Sequence, residues 1–126
     1  MAWAVRIQKK RASLFVAIAL TSSGTLLSAC GGPSGDALAH QACLDVQRSI
    51  NFYNRSTRAT TAAEQHALAT QAQDALRQAL QPAALAGGGG GQWEALAMTL
   101  SESNRVNESR LVTALSDQCA TSLETN

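Results

Sequence analysis

Residues 36–53, DALAHQACLDVQRSINFY, decide the fold class of this chain. Apolar side chains recur along this stretch at intervals of four and three residues. They are Ala39, Cys43, Val46, Ile50 and Tyr53. This spacing places them on one face of an α-helix, with polar residues around the rest. The stretch therefore predicts an amphipathic helix that begins near Asp36, a good N-cap residue, and packs against other helices.

A second helix is predicted to begin at Thr61-Ala62-Ala63-Glu64, which matches a capping box. Its expected buried face consists of Leu68, Ala72, Ala75, Leu76, Ala79 and Leu80. Pro82 should end this helix or begin a short turn through Leu85, because proline cannot donate a helical hydrogen bond. The glycines from Gly87 to Gly91 are expected to form a flexible spacer. No Gly-Lys-Ser/Thr follows them, as a phosphate-binding loop would require.

The last stretch, residues 92–123, has helical spacing at both of its ends. Between them lies Ser101–Asn107, whose serines and asparagines favour caps and turns. Propensity alone leaves open whether this stretch forms one helix or two.

The first thirty residues have the organisation of an export signal. A basic segment, Arg6–Arg11, precedes an apolar run that ends in small residues. The sequence Leu27-Ser28-Ala29-Cys30 resembles the lipobox of bacterial lipoproteins. That resemblance implies that Cys30 carries a thioether-linked diacylglycerol and becomes the first mature residue.

The predicted organisation is a signal peptide over residues 1–29, a lipidated cysteine and flexible tether over 30–35, and a helical domain over 36–126. An uncleaved membrane anchor is disfavoured because polar residues interrupt the apolar run, and a span needs about 20 apolar residues. A plain secretory signal would need no cysteine. The resemblance implies a location on the external face of the cell membrane, or on the outer membrane where one exists, since no aspartate follows Cys30. Two acyl chains are enough for stable anchoring.

Three segments of the mature part resemble small uncharacterised actinobacterial lipoproteins. They are Gln41–Ile50, Leu100–Val106 and Leu115–Cys119. This resemblance carries no known activity, so it transfers no functional residues.

The charge of the mature part bears on its partners. Six arginines stand against nine acidic residues, a net charge of −3. Such a balance argues against a nucleic-acid partner and leaves membrane attachment to the lipid on Cys30. No serine or cysteine has a base at a recognisable motif spacing, so neither an enzyme nor a cofactor is expected.

Two cysteines, Cys43 and Cys119, remain after Cys30 is assigned to the lipid. Outside the cytoplasm they are expected to form a disulfide, which would stabilise a small domain by about 4 to 5 kcal/mol. A metal site with His40 and His66 is one alternative, and two free thiols are another. We favour the disulfide because Cys119 has no nearby ligand at a spacing typical of zinc sites.

The disulfide also bears on the number of helices. If 92–123 were one helix, Cys119 would lie about 40 Å from its start, far from Cys43. A disulfide requires less than about 7 Å between the two Cα atoms. Breaking the helix near Asn104–Asn107 returns Cys119 to the end where Cys43 lies. The predicted fold is therefore all-α, a small up-down-up-down four-helix bundle with one disulfide.

This topology would bring two polar turns together at the end away from the tether. The candidate partner-binding residues there are Asn54, Arg55, Arg58, Asn104 and Arg105. Guanidinium and amide donors suit a carboxylate, a phosphate or an acidic peptide. The alternative is that these residues are caps, turns and solvated arginines.

The leading functional hypothesis is a non-catalytic interaction or structural module at the cell envelope, whose partner is an envelope protein or a small anionic ligand. The alternative is a ligand-binding or sensing lipoprotein. Four residues are candidates for lining its apolar pocket, although their helical spacing favours core packing. They are Phe52, Tyr53, Trp93 and Met98.

Overall fold

The computed structural model describes residues 32–124, and in this range the chain is helical without a strand. The elements are α1 (Gly35–Ser56), α2 (Ala62–Gly87), α3 (Glu94–Ser101), a 3-10 turn (Glu102–Asn104) and α4 (Glu108–Glu124). The all-α class and the four helices are confirmed, and 92–123 forms two helices. The predicted signal peptide and Cys30 lie outside the described residues. None of the helices in 32–124 is both long and apolar enough to cross a bilayer.

Helix α1 begins slightly earlier than expected, and its N-cap is Ser34. The Ser34 hydroxyl accepts a hydrogen bond from the backbone N–H of Ala37 at 3.2 Å. The prediction that Asp36 is the cap was wrong. Asp36 lies in the first turn instead, where its carboxylate accepts a hydrogen bond from Trp93 Nε1 at 2.7 Å.

The core of the bundle has small side chains, alanine or cysteine, at half of its buried residues. Its buried members are Ala39, Ala42, Cys43, Val46, Leu76, Ala79, Ala83, Ala86, Trp93, Leu96, Leu100, Leu111, Leu115 and Cys119. Ile50 packs against them from a partly buried position, and Tyr53 is half-buried. Alanine-lined helices can approach closely, but each alanine buries little apolar area.

Helix α2 starts as predicted but ends later. The Thr61 hydroxyl caps it by accepting a hydrogen bond from the N–H of Glu64 at 3.2 Å. Pro82 was expected to end the helix, yet α2 continues through it to Gly87. Proline removes one helical hydrogen bond. Burial of Pro82, Ala83 and Ala86 in the core offsets that loss.

The glycine run is more structured than a spacer. Gly87 is the last residue of α2 and packs directly on α3, where a Cβ on Gly87 would lie only 2.9 Å from the Cβ of Ala97. Gly90 and Gly91 have φ angles of 75° and 87°, in the left-handed region that glycine adopts without strain. They turn the chain from α2 into α3.

A disulfide joins α1 to α4 through Cys43 and Cys119, whose Cα atoms are 5.3 Å apart. The predicted pairing is therefore confirmed. Other contacts show which parts of the helices are neighbours. Gly35 lies beside Ala86, and the Ser49 hydroxyl contacts the carbonyl oxygen of Ala72.

Candidate functional site

We call the end of the bundle where residues 32–34 enter α1 the tether end, and the end with the α1–α2 turn at 57–61 the far end. Three predicted partner-binding residues, Asn54, Arg55 and Arg58, lie at the far end. Arg58 Nε donates to the backbone oxygen of Asn54 at 2.9 Å, and the Arg55 guanidinium lies 5.9 Å from the centre of the Phe52 ring. Both arginines are exposed, so these local contacts leave their charges open to solvent.

The other two predicted residues, Asn104 and Arg105, lie lower along the bundle. Asn104 lines a groove with Gln73 and Arg77, about 18 Å along α2 from Thr61 at 1.5 Å per residue. Arg105 approaches Glu102 at 4.0 Å. The expected single cluster at one pole is not formed, because α3 has only 8 residues and turns back beside the middle of α2.

The arginines are distributed unevenly along the bundle. In residues 32–124 they are Arg48, Arg55, Arg58, Arg77, Arg105 and Arg110. None lies in 32–47, 78–104 or 111–124, the segments that include the tether end. Acidic residues do occur there, at Asp36, Glu94 and Glu124. The helices thus hold every arginine of the described chain away from the tether end.

The tether end contains a cavity of about 420 Å³ between the starts of α1 and α3 and the end of α4. Its lining residues are Asp36, Ala37, His40, Gln92, Trp93, Thr121 and Ser122. Asp36 Oδ1 accepts hydrogen bonds from Trp93 Nε1 at 2.7 Å and from Gln92 Nε2 at 3.5 Å. No local sequence pattern indicates this site, because its residues come from three separate segments.

His40 contributes to the cavity wall through a hydrogen bond to α4. Its Nδ1 lies 3.0 Å from the backbone oxygen of Ser122, and a carbonyl oxygen can only accept, so Nδ1 carries the proton. The alternative metal site with Cys43 is wrong, because Cys43 is in the disulfide. Among residues 32–124, no group of three or more His, Cys, Asp or Glu side chains is placed to hold a metal ion.

A second polar site that the sequence did not indicate lies inside the bundle. The fully buried Ser49 hydroxyl is 2.8 Å from the carbonyl oxygen of Ala72 and 2.5 Å from Glu108 Oε1. One hydroxyl proton cannot serve both oxygens. Burial raises the pKa of Glu108 above 4.5, although the Ser49 hydrogen bond lowers it. When Glu108 is protonated, it can donate to Ser49, which then donates to Ala72.

We expect Glu108→Gln to raise the free energy of unfolding at pH 7 by about 0.5 to 1.5 kcal/mol, the net value of one hydrogen bond. The glutamine amide can donate to Ser49 at any pH. In the wild type, a raised folded-state pKa means that the folded chain binds a proton that the unfolded chain releases. Stability should therefore fall as pH rises from below 4.5 through the folded pKa. Urea unfolding at several pH values measures both effects.

Glu94→Gln is the matched control for this prediction, because Glu94 is also an acid in the first turn of its helix but is exposed, whereas Glu108 is partly buried. It should leave the pH dependence of the wild type intact. Parallel pH profiles for the wild type and Glu108→Gln would show that Glu108 does not carry the effect.

No protein-family model, curated protein sequence or solved structure matches this chain.

Proposed function

We propose that this chain is a lipid-anchored cell-envelope protein whose helical domain is a non-catalytic interaction or structural module. The resemblance of Leu27–Cys30 to a lipobox supports the anchor. One observation carries the interaction role. All arginines of the described chain lie away from the tether end. A partner could reach them there without approaching the membrane.

The proposal includes an up-down-up-down order for the four helices. Three neighbouring pairs support it. Gly35 at the start of α1 lies beside Ala86 at the end of α2, and Gly87 lies beside Ala97 in α3. Cys43 in the first half of α1 is joined to Cys119 near the end of α4. In such an order the tether end and the far end are opposite ends of one bundle.

The tether is short enough to fix the orientation of the domain. From Cys30 to the start of α1 at Gly35, an extended chain spans at most about 20 Å. Helix α1, with 22 residues, is about 33 Å long. With lipid on Cys30, the tether end stays close to the membrane and the far end points away from it. An acidic envelope protein or a small anionic ligand would then meet Arg55 and Arg58 first.

The alternative, a ligand-binding or sensing lipoprotein, is favoured by the cavity at the tether end. Its volume of about 420 Å³ is within the range of small-molecule sites. This alternative needs no arginine, and it therefore predicts that binding is insensitive to changes at the far end.

Site-specific photo-crosslinking in the native cells tests the interaction module. A photoreactive residue at the exposed Thr60, in the α1–α2 turn, should give an adduct with a partner. The adduct should be lost in an Arg55→Ala/Arg58→Ala variant, since those two guanidiniums at the far end are proposed to pair with the partner. A photoreactive residue at Leu85, which is 60% exposed near the tether end, is the matched control and should give none.

Cys30→Ser separates anchoring from binding in the same experiment. This variant should leave the membrane fraction and lose incorporation of labelled fatty acid, while its helical circular dichroism is unchanged. Equal amounts of adduct from Thr60 and Leu85 would show that the far end is not the binding surface. Adducts that persist in the double arginine variant would show the same. If Cys30→Ser stays in the membrane fraction, the proposal of a lipid anchor on Cys30 is overturned.

A further inference from the structure

The tether-end cavity has an electrostatic character opposite to that of the far end. Among the residues that line it, Asp36 is the only carboxylate, and there is no arginine or lysine. Glu94 and Glu124 add negative charge at the same end, and the nearest arginine along α1 is Arg48, about 12 Å beyond His40. The side-chain charges around the cavity therefore favour a cation over an anion.

The Asp36 carboxylate is held in position by its neighbours. Trp93 Nε1 and Gln92 Nε2 both donate to Oδ1, at 2.7 and 3.5 Å. Both bonds are directed to Oδ1, so Oδ2 can accept from a ligand. A carboxylate oriented in advance loses less entropy on binding than a free one.

The remaining wall suits an organic body attached to the charge. The Trp93 indole and the Ala37 methyl group supply apolar surface, and indole rings also attract cations. We propose that this cavity binds a small organic ammonium compound. Its ammonium contacts Asp36, and its body lies against Trp93.

Two sources could supply this ammonium group. One is a free amine in the surrounding solution. The other is the ethanolamine headgroup of a membrane lipid, and this source rests on the lipid anchor of the proposed function. The ammonium contact with Asp36 is the same for both, so a titration with soluble probes examines it without reference to anchoring.

Trp93 provides a direct signal. The chain has two tryptophans, Trp3 and Trp93, so Trp3→Phe makes Trp93 the only one. The full-length Trp3→Phe chain in a non-ionic detergent is titrated with phenethylammonium, and the Trp93 indole N–H resonance and fluorescence are followed. We expect a saturable shift. The anion 3-phenylpropanoate, of similar size, should give none at the same concentrations.

Asp36→Asn tests the charge, because it keeps an oxygen that Trp93 can donate to. It should weaken phenethylammonium binding by about two- to fivefold, as expected for a partly exposed ion pair. Asp74→Asn, at an exposed acid on α2, is the matched control and should bind like the parent.

O-phosphoethanolamine distinguishes the two sources. If it binds more tightly than phenethylammonium, the site takes a lipid headgroup, and the reverse order assigns a free apolar amine. The proposal is overturned if no ammonium probe gives a saturable change. It is also overturned if the carboxylate probe binds equally well, or if Asp36→Asn binds like the parent. None of these outcomes depends on whether Cys30→Ser leaves the membrane.

Discussion

Replacing Cys43 and Cys119 by alanine is expected to lower the free energy of unfolding by about 4 to 5 kcal/mol. The bridge joins residues separated by 76 positions, and in the chain-entropy model a loop of that length restricts the unfolded chain by this amount. A small domain has only about 5 to 15 kcal/mol of stability in total. The double variant should therefore be largely unfolded at 37 °C. Urea unfolding followed by circular dichroism at 222 nm measures the difference.

Chemical reduction of the disulfide and replacement of its cysteines by alanine should lower the stability by similar amounts. A phosphine reductant should lower the urea midpoint of the wild type toward that of the alanine variant and leave the variant unchanged. Cys43→Ser/Cys119→Ser should be less stable than the alanine pair, because residues 43 and 119 are at most 2% exposed and a serine hydroxyl there is buried. If the reductant does not change the urea midpoint of the wild type, the bridge contributes little to the stability.

The composition of the core explains why the bridge matters so much here. Five of the fourteen residues in the buried cluster are alanine, and two more are the bridged cysteines. Each alanine removes little apolar area from water, at about 25 cal/mol per Å². A covalent link between α1 and α4 compensates for the small apolar area that these alanines bury.

Helix positions and the disulfide were predictable because local patterns determine them. The stripe through Ala39, Cys43 and Val46 repeats with the helical period, and these residues are buried. The break in 92–123 followed from one distance requirement of the Cys43–Cys119 bridge. Such constraints need no knowledge of how the other helices pack.

Features that depend on packing were not predictable in the same way. The length of α3 determines where Asn104 and Arg105 lie along the bundle. The sequence around these two residues does not indicate that length. Ser49 has the appearance of an ordinary polar helix residue, yet it meets Glu108 from a position 59 residues away. Met98 shares the helical spacing of core residues but is 63% exposed. The cavity beside Asp36 likewise exists only once three segments meet.

Gly87→Val is expected to lower the free energy of unfolding by about 1 to 3 kcal/mol, the usual cost of overpacking. A Cβ on Gly87 would lie 2.9 Å from the Cβ of Ala97 and 3.1 Å from the carbonyl oxygen of Trp93. Neither atom belongs to a flexible side chain, so α3 itself must move away from α2. Helix propensity alone predicts the opposite sign, because glycine is the poorer helix former by about 1 kcal/mol. Urea unfolding gives the magnitude and the sign.

Two control variants, Gly89→Ala and the double change Gly87→Ala/Ala97→Gly, test whether packing causes the destabilisation by Gly87→Val. A Cβ on Gly89 meets nothing within 4 Å, and its φ is not positive, so alanine there should be neutral or stabilise by up to about 1 kcal/mol. Gly87→Ala/Ala97→Gly moves the methyl group from one helix to the other. It should be more stable than the sum of its two single changes, and this coupling measures the α2–α3 contact. The relief should be partial, since the Trp93 oxygen remains 3.1 Å from the new Cβ. Simple additivity, or a Gly87→Val chain as stable as Gly89→Ala, would mean that Gly87 serves only as a spacer.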